Sequence, residues 1–206
     1  MFWEFFTFDF KNRFKQPMVY IFFIINFALI LMAVLLDEVT VGRGMGNVNI
    51  NSPYSIMQYA ALMSLISVIV TTAFMNTSAL RDYNHKYDQI LFTTPLKKFG
   101  YLFGRFCSGV LTSLIPLLGV FLAIMIAPIF PAANADKIGA FQLAPYLNSF
   151  FLFLLPNTLL AGAIIFALAA LFRNTIISFL GALLLLIGYG IAGDMLSNLE
   201  NEQLAI

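Results

Sequence analysis

Cysteine and histidine are nearly missing from this chain, and their scarcity removes several classes of function. Cys107 is the single cysteine and His85 the single histidine among 206 residues. One cysteine cannot build a disulfide framework or a zinc knuckle, and one histidine cannot supply the His-Glu-x-x-His motif of zinc peptidases. We therefore expect no metal site, no catalytic residue and no cofactor bound by this chain itself.

Charge is also scarce. Charged residues make up 10% of the sequence, compared with about 25% in soluble domains. The formal net charge of +1 gives no basic face for a nucleic-acid partner. Hydrophobic residues account for 61% of the chain, with 23 phenylalanines and a mean hydropathy of +0.89. This composition is typical of a protein embedded in a lipid bilayer.

Long apolar stretches define the expected fold. A helix needs about 20 predominantly apolar residues to cross a bilayer, and five stretches qualify: 18–36, 56–74, 106–130, 146–172 and 176–193. The sequence predicts an all-α, polytopic membrane helix bundle that forms one domain over 1–206. The basic residues near the N-terminus precede an apolar run too long for a signal peptide, without a cleavage site, so the first span is retained.

Lysine and arginine predict the orientation. With the N-terminus in the cytoplasm, nine of the eleven basic residues lie on the cytoplasmic side, and only Arg43 and Lys137 lie outside, as the positive-inside rule requires. We expect a multi-pass protein of the inner (plasma) membrane. Residues 1–16 mix seven aromatic residues with acidic and basic ones, which favours an amphipathic helix in the headgroup plane; a solvated tail is the alternative.

One polar segment, residues 81–98, separates the second and third spans. Tyr83, Tyr87 and Leu91 recur at four-residue steps and predict a helix with one apolar stripe. Pro95 ends it, because the residue before a proline avoids helical geometry. We predict a cytoplasmic helix over 81–95. The alternative is a solvated connector whose basic residues only set the topology.

The segment resembles the cytoplasmic loop of type-2 ABC transporter permeases. The resemblance rests on 79–82 (ALRD), 90–96 (ILFTTPL) and 101–106 (YLFGRF), and the layout of the whole chain is similar. Lys86 and Tyr87 stand where that family commonly has Gly-Thr. The resemblance implies that an ATPase grips a coupling helix in this segment and that the third span begins at a Gly-basic pair. The residues it assigns are Arg81, Asp82, Tyr83, Lys86, Tyr87, Leu91 and Pro95 for coupling, and Gly104 and Arg105 for the span entrance.

The same resemblance implies the partners. The chain has no Gly-x-x-x-x-Gly-Lys-Ser/Thr motif, so ATP and magnesium would be bound by a separate ABC ATPase subunit. A second permease half, identical or different, would complete the transporter, and we expect export. The family has six spans per half, so this chain is expected to be the front part of a longer permease, of the kind that some bacterial proteins fuse to a zinc aminopeptidase-like domain.

Few polar residues lie within the predicted spans. Gln58, Thr71 and Asn157 are candidates for a translocation path, although interhelical hydrogen bonding is the competing interpretation. Two other functions stay open at this point. The chain could be a membrane anchor or scaffold for a downstream soluble domain, or an intramembrane enzyme, for which it lacks an evident acid–base set.

Overall fold

The structure is a computed structural model that describes residues 2–35, 49, 51–84, 86, 93, 97–130 and 138–204, with side chains as far as Met195. Most of the described residues are helical, and none of them is in a strand. The helices are α1 (Phe2–Phe14), α2 (Pro17–Leu35), α3 (Pro53–Asn84), α4 (Lys98–Ile126), α5 (Ala144–Ser149), α6 (Leu155–Phe172) and α7 (Thr175–Leu204). A 3₁₀ turn, Ala127–Ile129, follows α4, and a π-helical segment, Phe150–Leu154, joins α5 to α6.

Five helical segments are long and apolar enough to cross a membrane: Pro17–Leu35, Pro53–Asn84, Lys98–Ile129, Ala144–Phe172 and Thr175–Met195. They correspond one to one with the predicted spans, so the all-α fold and the number of apolar helices are confirmed. The π-helical segment lies directly before Pro156. Proline has no N–H to donate to the preceding turn, and such interruptions commonly carry a local change of helix type.

The prediction that a separate helix begins at residue 81 is wrong. Residues 81–84 are the last turn of α3, whose 32 residues measure about 48 Å, well beyond the roughly 30 Å hydrocarbon core. The chain leaves that helix near Lys86, which has a left-handed φ of 58°. Apolar periodicity could not distinguish a new helix from the continuation of a span. Tyr87, Leu91 and Pro95 lie outside the described residues.

The core forms where α3 packs against α4 and α6. Its fully buried members include Met75, Leu117 and Ile165. Helix α2 joins this core along α4, and Gly119 permits the approach, since a Cβ there would lie 2.9 Å from the backbone oxygen of Phe23. Helix α7 exposes most of its apolar side chains, as a lipid-facing helix does.

Candidate functional site at the loop end of the helices

The coupling residues that the structure describes gather at one end of the bundle, here termed the loop end. It comprises the last turns of α3, the first turns of α4, helix α1 and the turn between α6 and α7. Arg81, Asp82 and Tyr83 lie on the last turn of α3, and Gly104 and Arg105 lie on the second turn of α4. Lys86, just beyond α3, is exposed.

A buried ion pair joins α3 to α4. Arg105 Nη2 lies 2.6 Å from Asp82 Oδ2, and the Tyr101 hydroxyl donates to the same oxygen at 2.6 Å. Arg105 Nη1 donates to the Ser78 carbonyl at 3.0 Å, while Ser78 Oγ donates to the Arg105 carbonyl at 2.6 Å. We call these four residues the clamp. Asp82 is only 8% exposed, so it faces α4 rather than the surface.

A second ionic group attaches α1 to the same end of α3. Asp9 Oδ2 accepts from Arg13 Nε at 3.1 Å, and Asp9 Oδ1 lies 3.2 Å from Arg81 Nη1. Arg13 is fully buried, and its Nη1 donates to the Phe74 carbonyl at 2.8 Å. Burial lowers the pKa of the Arg13 guanidinium from its usual value, and the Asp9 carboxylate opposes that shift.

Helix α1 therefore presents its charged side to the spans. Asp9 and Arg13 are its buried residues, whereas Trp3 is 69% exposed and Phe8 64% exposed. Phe2 and Phe5 pack against Phe103 and Tyr101 of α4, whereas the more exposed rings are left to contact lipid, as expected for a helix in the headgroup plane. Close packing against α4 requires Gly104, since a Cβ there would lie 3.1 Å from the Phe2 carbonyl oxygen.

Tyr83 is engaged with the bundle. The Arg173 guanidinium lies 4.6 Å from the centre of its ring, a distance at which a cation–π interaction is favourable. Arg173 ends α6 in a left-handed conformation, and the Asn174 side chain accepts from the Ile176 N–H at 2.9 Å, capping α7. The turn between α6 and α7 is thus tied to the end of α3.

Four participants were missed by the sequence analysis: Asp9, Arg13, Ser78 and Tyr101. Asp9 and Arg13 carried a readable signal, because acidic and basic residues four apart on a helix can pair. Ser78 is one of three consecutive polar residues, 76–78, and Tyr101 appeared only as the first residue of the 101–106 segment, so neither carried a specific signal for the clamp.

The three path candidates lie at separate positions, Gln58 and Thr71 on α3 and Asn157 on α6. Asn157 bridges three helices: its Nδ2 donates to the Ser64 carbonyl at 2.6 Å, and its Oδ1 accepts from the Tyr189 hydroxyl. Thr71 is fully buried, about 20 Å along the helix from Gln58. The contacts of Asn157 are those of an interhelical hydrogen-bonding residue.

The five long apolar helices are those of a multi-pass membrane protein. Within the described part of the chain, no group of three or more His, Cys, Asp or Glu side chains could hold a metal ion. No protein-family model matches this sequence, and no curated protein or solved structure shows significant similarity to it. Its function must therefore be argued from its own residues.

Proposed function

We propose that this chain is the membrane permease subunit of an ATP-driven, ABC-type exporter of the inner membrane. In this proposal a separate ATPase binds ATP and magnesium and pushes on the cytoplasmic segment 81–98, and a second permease half completes the pathway. The observation that carries the proposal is the clamp. It joins the end of α3 to the start of α4, the two helix ends that this segment connects.

A driven loop needs a firm attachment at both ends. Without one, a push would only deform the loop. The clamp joins the end of α3 to the start of α4 by an ion pair and three further hydrogen bonds. Hydrogen bonds to charged groups contribute about 1.5–3 kcal/mol each. Driving a two-state protein from 1:99 to 99:1 takes about 5.5 kcal/mol, so the clamp is comparable in strength to the work it would transmit.

The second ionic group would couple helix α1 to a movement of the end of α3. Because Asp9 contacts both Arg13 and Arg81, a displacement of the end of α3 would carry the interfacial helix with it. The push would then reach α3, α4 and α1 together, which is the behaviour required of a permease that changes conformation as a whole.

The test replaces residues of the loop that lie beyond the end of α3. Asp82 is unsuitable because it is buried in the clamp, and its replacement would damage the fold. We would replace Lys86 by Glu and both Tyr87 and Leu91 by Ala in one tagged chain, and express it in the source organism, which the proposal requires to supply the ABC ATPase. The matched control is Lys15→Glu, the same charge change at an exposed site in the turn between α1 and α2.

The triple variant should lose the co-purified ATPase, whereas the wild type and Lys15→Glu should retain it. Retention by the triple variant would contradict the coupling role of the loop. If all three chains are folded and none binds an ATPase, the permease assignment fails and the membrane-anchor alternative is favoured.

A further inference from the structure

A cavity of about 330 Å³ opens at the loop end, between the end of α3 and the starts of α2 and α7. It lies on the side of α3 away from the clamp. Apolar and polar side chains both line it, among them Met18, Asn76, Thr77, Arg81, Thr175 and Phe179.

Asn76 is the most informative residue of this lining. It is only 6% exposed, yet neither its amide oxygen nor its amide nitrogen has a hydrogen-bond partner among the described residues. A buried polar group left without a partner costs about 1–3 kcal/mol. A ligand in the cavity that both accepts and donates hydrogen bonds would remove that cost.

Arg81 gives the cavity its charge. A guanidinium has five N–H donors, and the contacts of Arg81 with Asp9, and with Asn12 in the amide orientation that satisfies both groups, involve only Nη1 and Nη2. Arg81 is linked through Asp9 to Arg13, so two guanidinium groups share one carboxylate. The remaining positive charge favours an anion, and the start of α7 at Thr175 adds the positive end of a helix dipole.

The position of the cavity indicates where that anion comes from. The apolar run of α3 ends at Met75, Met18 is the second residue of α2, and Thr175 is the first residue of α7. All three lie at the ends of apolar stretches, and the ends of such stretches are where spans meet the membrane interface. Met18 and Phe179 offer apolar contacts, and Arg81 lies about two turns nearer the loop. This order, apolar then charged, matches a phospholipid at the interface.

We infer that the cavity binds the phosphate-bearing headgroup of an anionic phospholipid, with Arg81 donating to the phosphate and Asn76 hydrogen-bonding to the neighbouring glycerol and ester oxygens. The site does not involve the clamp, but it shares Arg81 with the segment 81–98 on which an ATPase would push. Asn76 lies on α3 outside that segment, so Asn76→Leu tests the lipid site separately from the proposed permease function, and either proposal can fail without the other.

Native mass spectrometry of the full chain in detergent tests the site. Phosphatidylglycerol, phosphatidylcholine and soluble glycerol 3-phosphate are titrated separately. The wild type should retain phosphatidylglycerol most strongly. Arg81→Gln and Asn76→Leu should each weaken that binding about tenfold, because losing one hydrogen bond to a charged or buried group corresponds to about that factor.

Matched controls separate the site from general effects of charge and polarity. Lys98→Gln removes a positive charge at an exposed site at the same end of the bundle, and Asn148→Leu removes the same amide at an exposed site outside the cavity. Both should bind as the wild type does. Asn76→Leu leaves the Asp9–Arg81 pair intact, so its loss of binding cannot be attributed to damage at α1.

Three results would overturn the inference. Unchanged binding of phosphatidylglycerol by Asn76→Leu would exclude the cavity. Equal retention of phosphatidylcholine would exclude a preference for an anionic headgroup. Glycerol 3-phosphate binding as tightly as the lipid would identify a soluble phosphate ligand instead of a membrane lipid.

Discussion

Replacing Asp9 by asparagine removes the carboxylate that contacts two guanidinium groups at once. Arg13 would keep its hydrogen bond to the Phe74 carbonyl but would remain fully buried without a counter-charge. Breaking a buried ion pair by removing one partner costs about 3–5 kcal/mol. The pair with Arg81 adds little, since that side chain is 24% exposed and partly screened. We therefore expect a loss of about 3–5 kcal/mol in the attachment of α1.

Trp3 makes this loss measurable. It is the only tryptophan and lies on α1, so its fluorescence reports that helix, whereas circular dichroism reports the whole bundle. In detergent titrated with a denaturant, Asp9→Asn should shift the Trp3 transition well below the dichroism transition. The matched control Glu4→Gln removes an exposed carboxylate of the same helix and should change stability by less than about 0.5 kcal/mol.

A double variant tests the physical reason. When both buried charges are removed together, the penalty of an uncompensated charge disappears. Asp9→Asn combined with Arg13→Met should therefore be more stable than Asp9→Asn alone. If Asp9→Asn behaves like Glu4→Gln, or if the double variant loses the sum of the two single effects, the ionic attachment of α1 is refuted.

Two further predictions concern helix contacts. Gly104→Val places a side chain against the Phe2 carbonyl and should destabilise the attachment of α1, seen in the Trp3 transition, by about 1–3 kcal/mol. The control Gly100→Ala adds a Cβ that would lie an ordinary 3.8 Å from Phe2 and should leave the Trp3 transition unchanged. Equal effects of the two variants would contradict the close approach of α1 to Gly104. Asn157→Leu should lower the unfolding free energy of the bundle by about 0.6–2 kcal/mol per lost hydrogen bond, measured against Asn148→Leu; a loss of transport with unchanged stability would instead favour a translocation path.

Much of the fold could be read from hydropathy, because a span must be apolar over a length set by the bilayer. The residues at which the helices end could not be read from hydropathy. Helix α3 continues ten residues past the predicted boundary at 74, since its last turns are held by the side chains of α1 and α4 and need no lipid. The same contacts explain why Arg81 and Asp82 are on α3 and not on a separate helix.

The candidate site, too, could be predicted only in part from the sequence. The resemblance to type-2 ABC transporter permeases marked Asp82, Gly104 and Arg105 as special positions. It could not show that Asp82 pairs with Arg105, because those residues are separated by 23 positions and meet only through the packing of two spans.

Composition and pattern alone establish an all-helical chain with five apolar helices, a polar segment between the second and third, and a charged aromatic N-terminus. Those features depend on local hydrophobicity, which each stretch of sequence carries by itself. Tertiary structure alone decides that Asp9 and Arg13 are buried, that the clamp unites α3 with α4, and that Asn76 and Arg81 line one cavity. These features depend on distances between helices that are far apart in the chain.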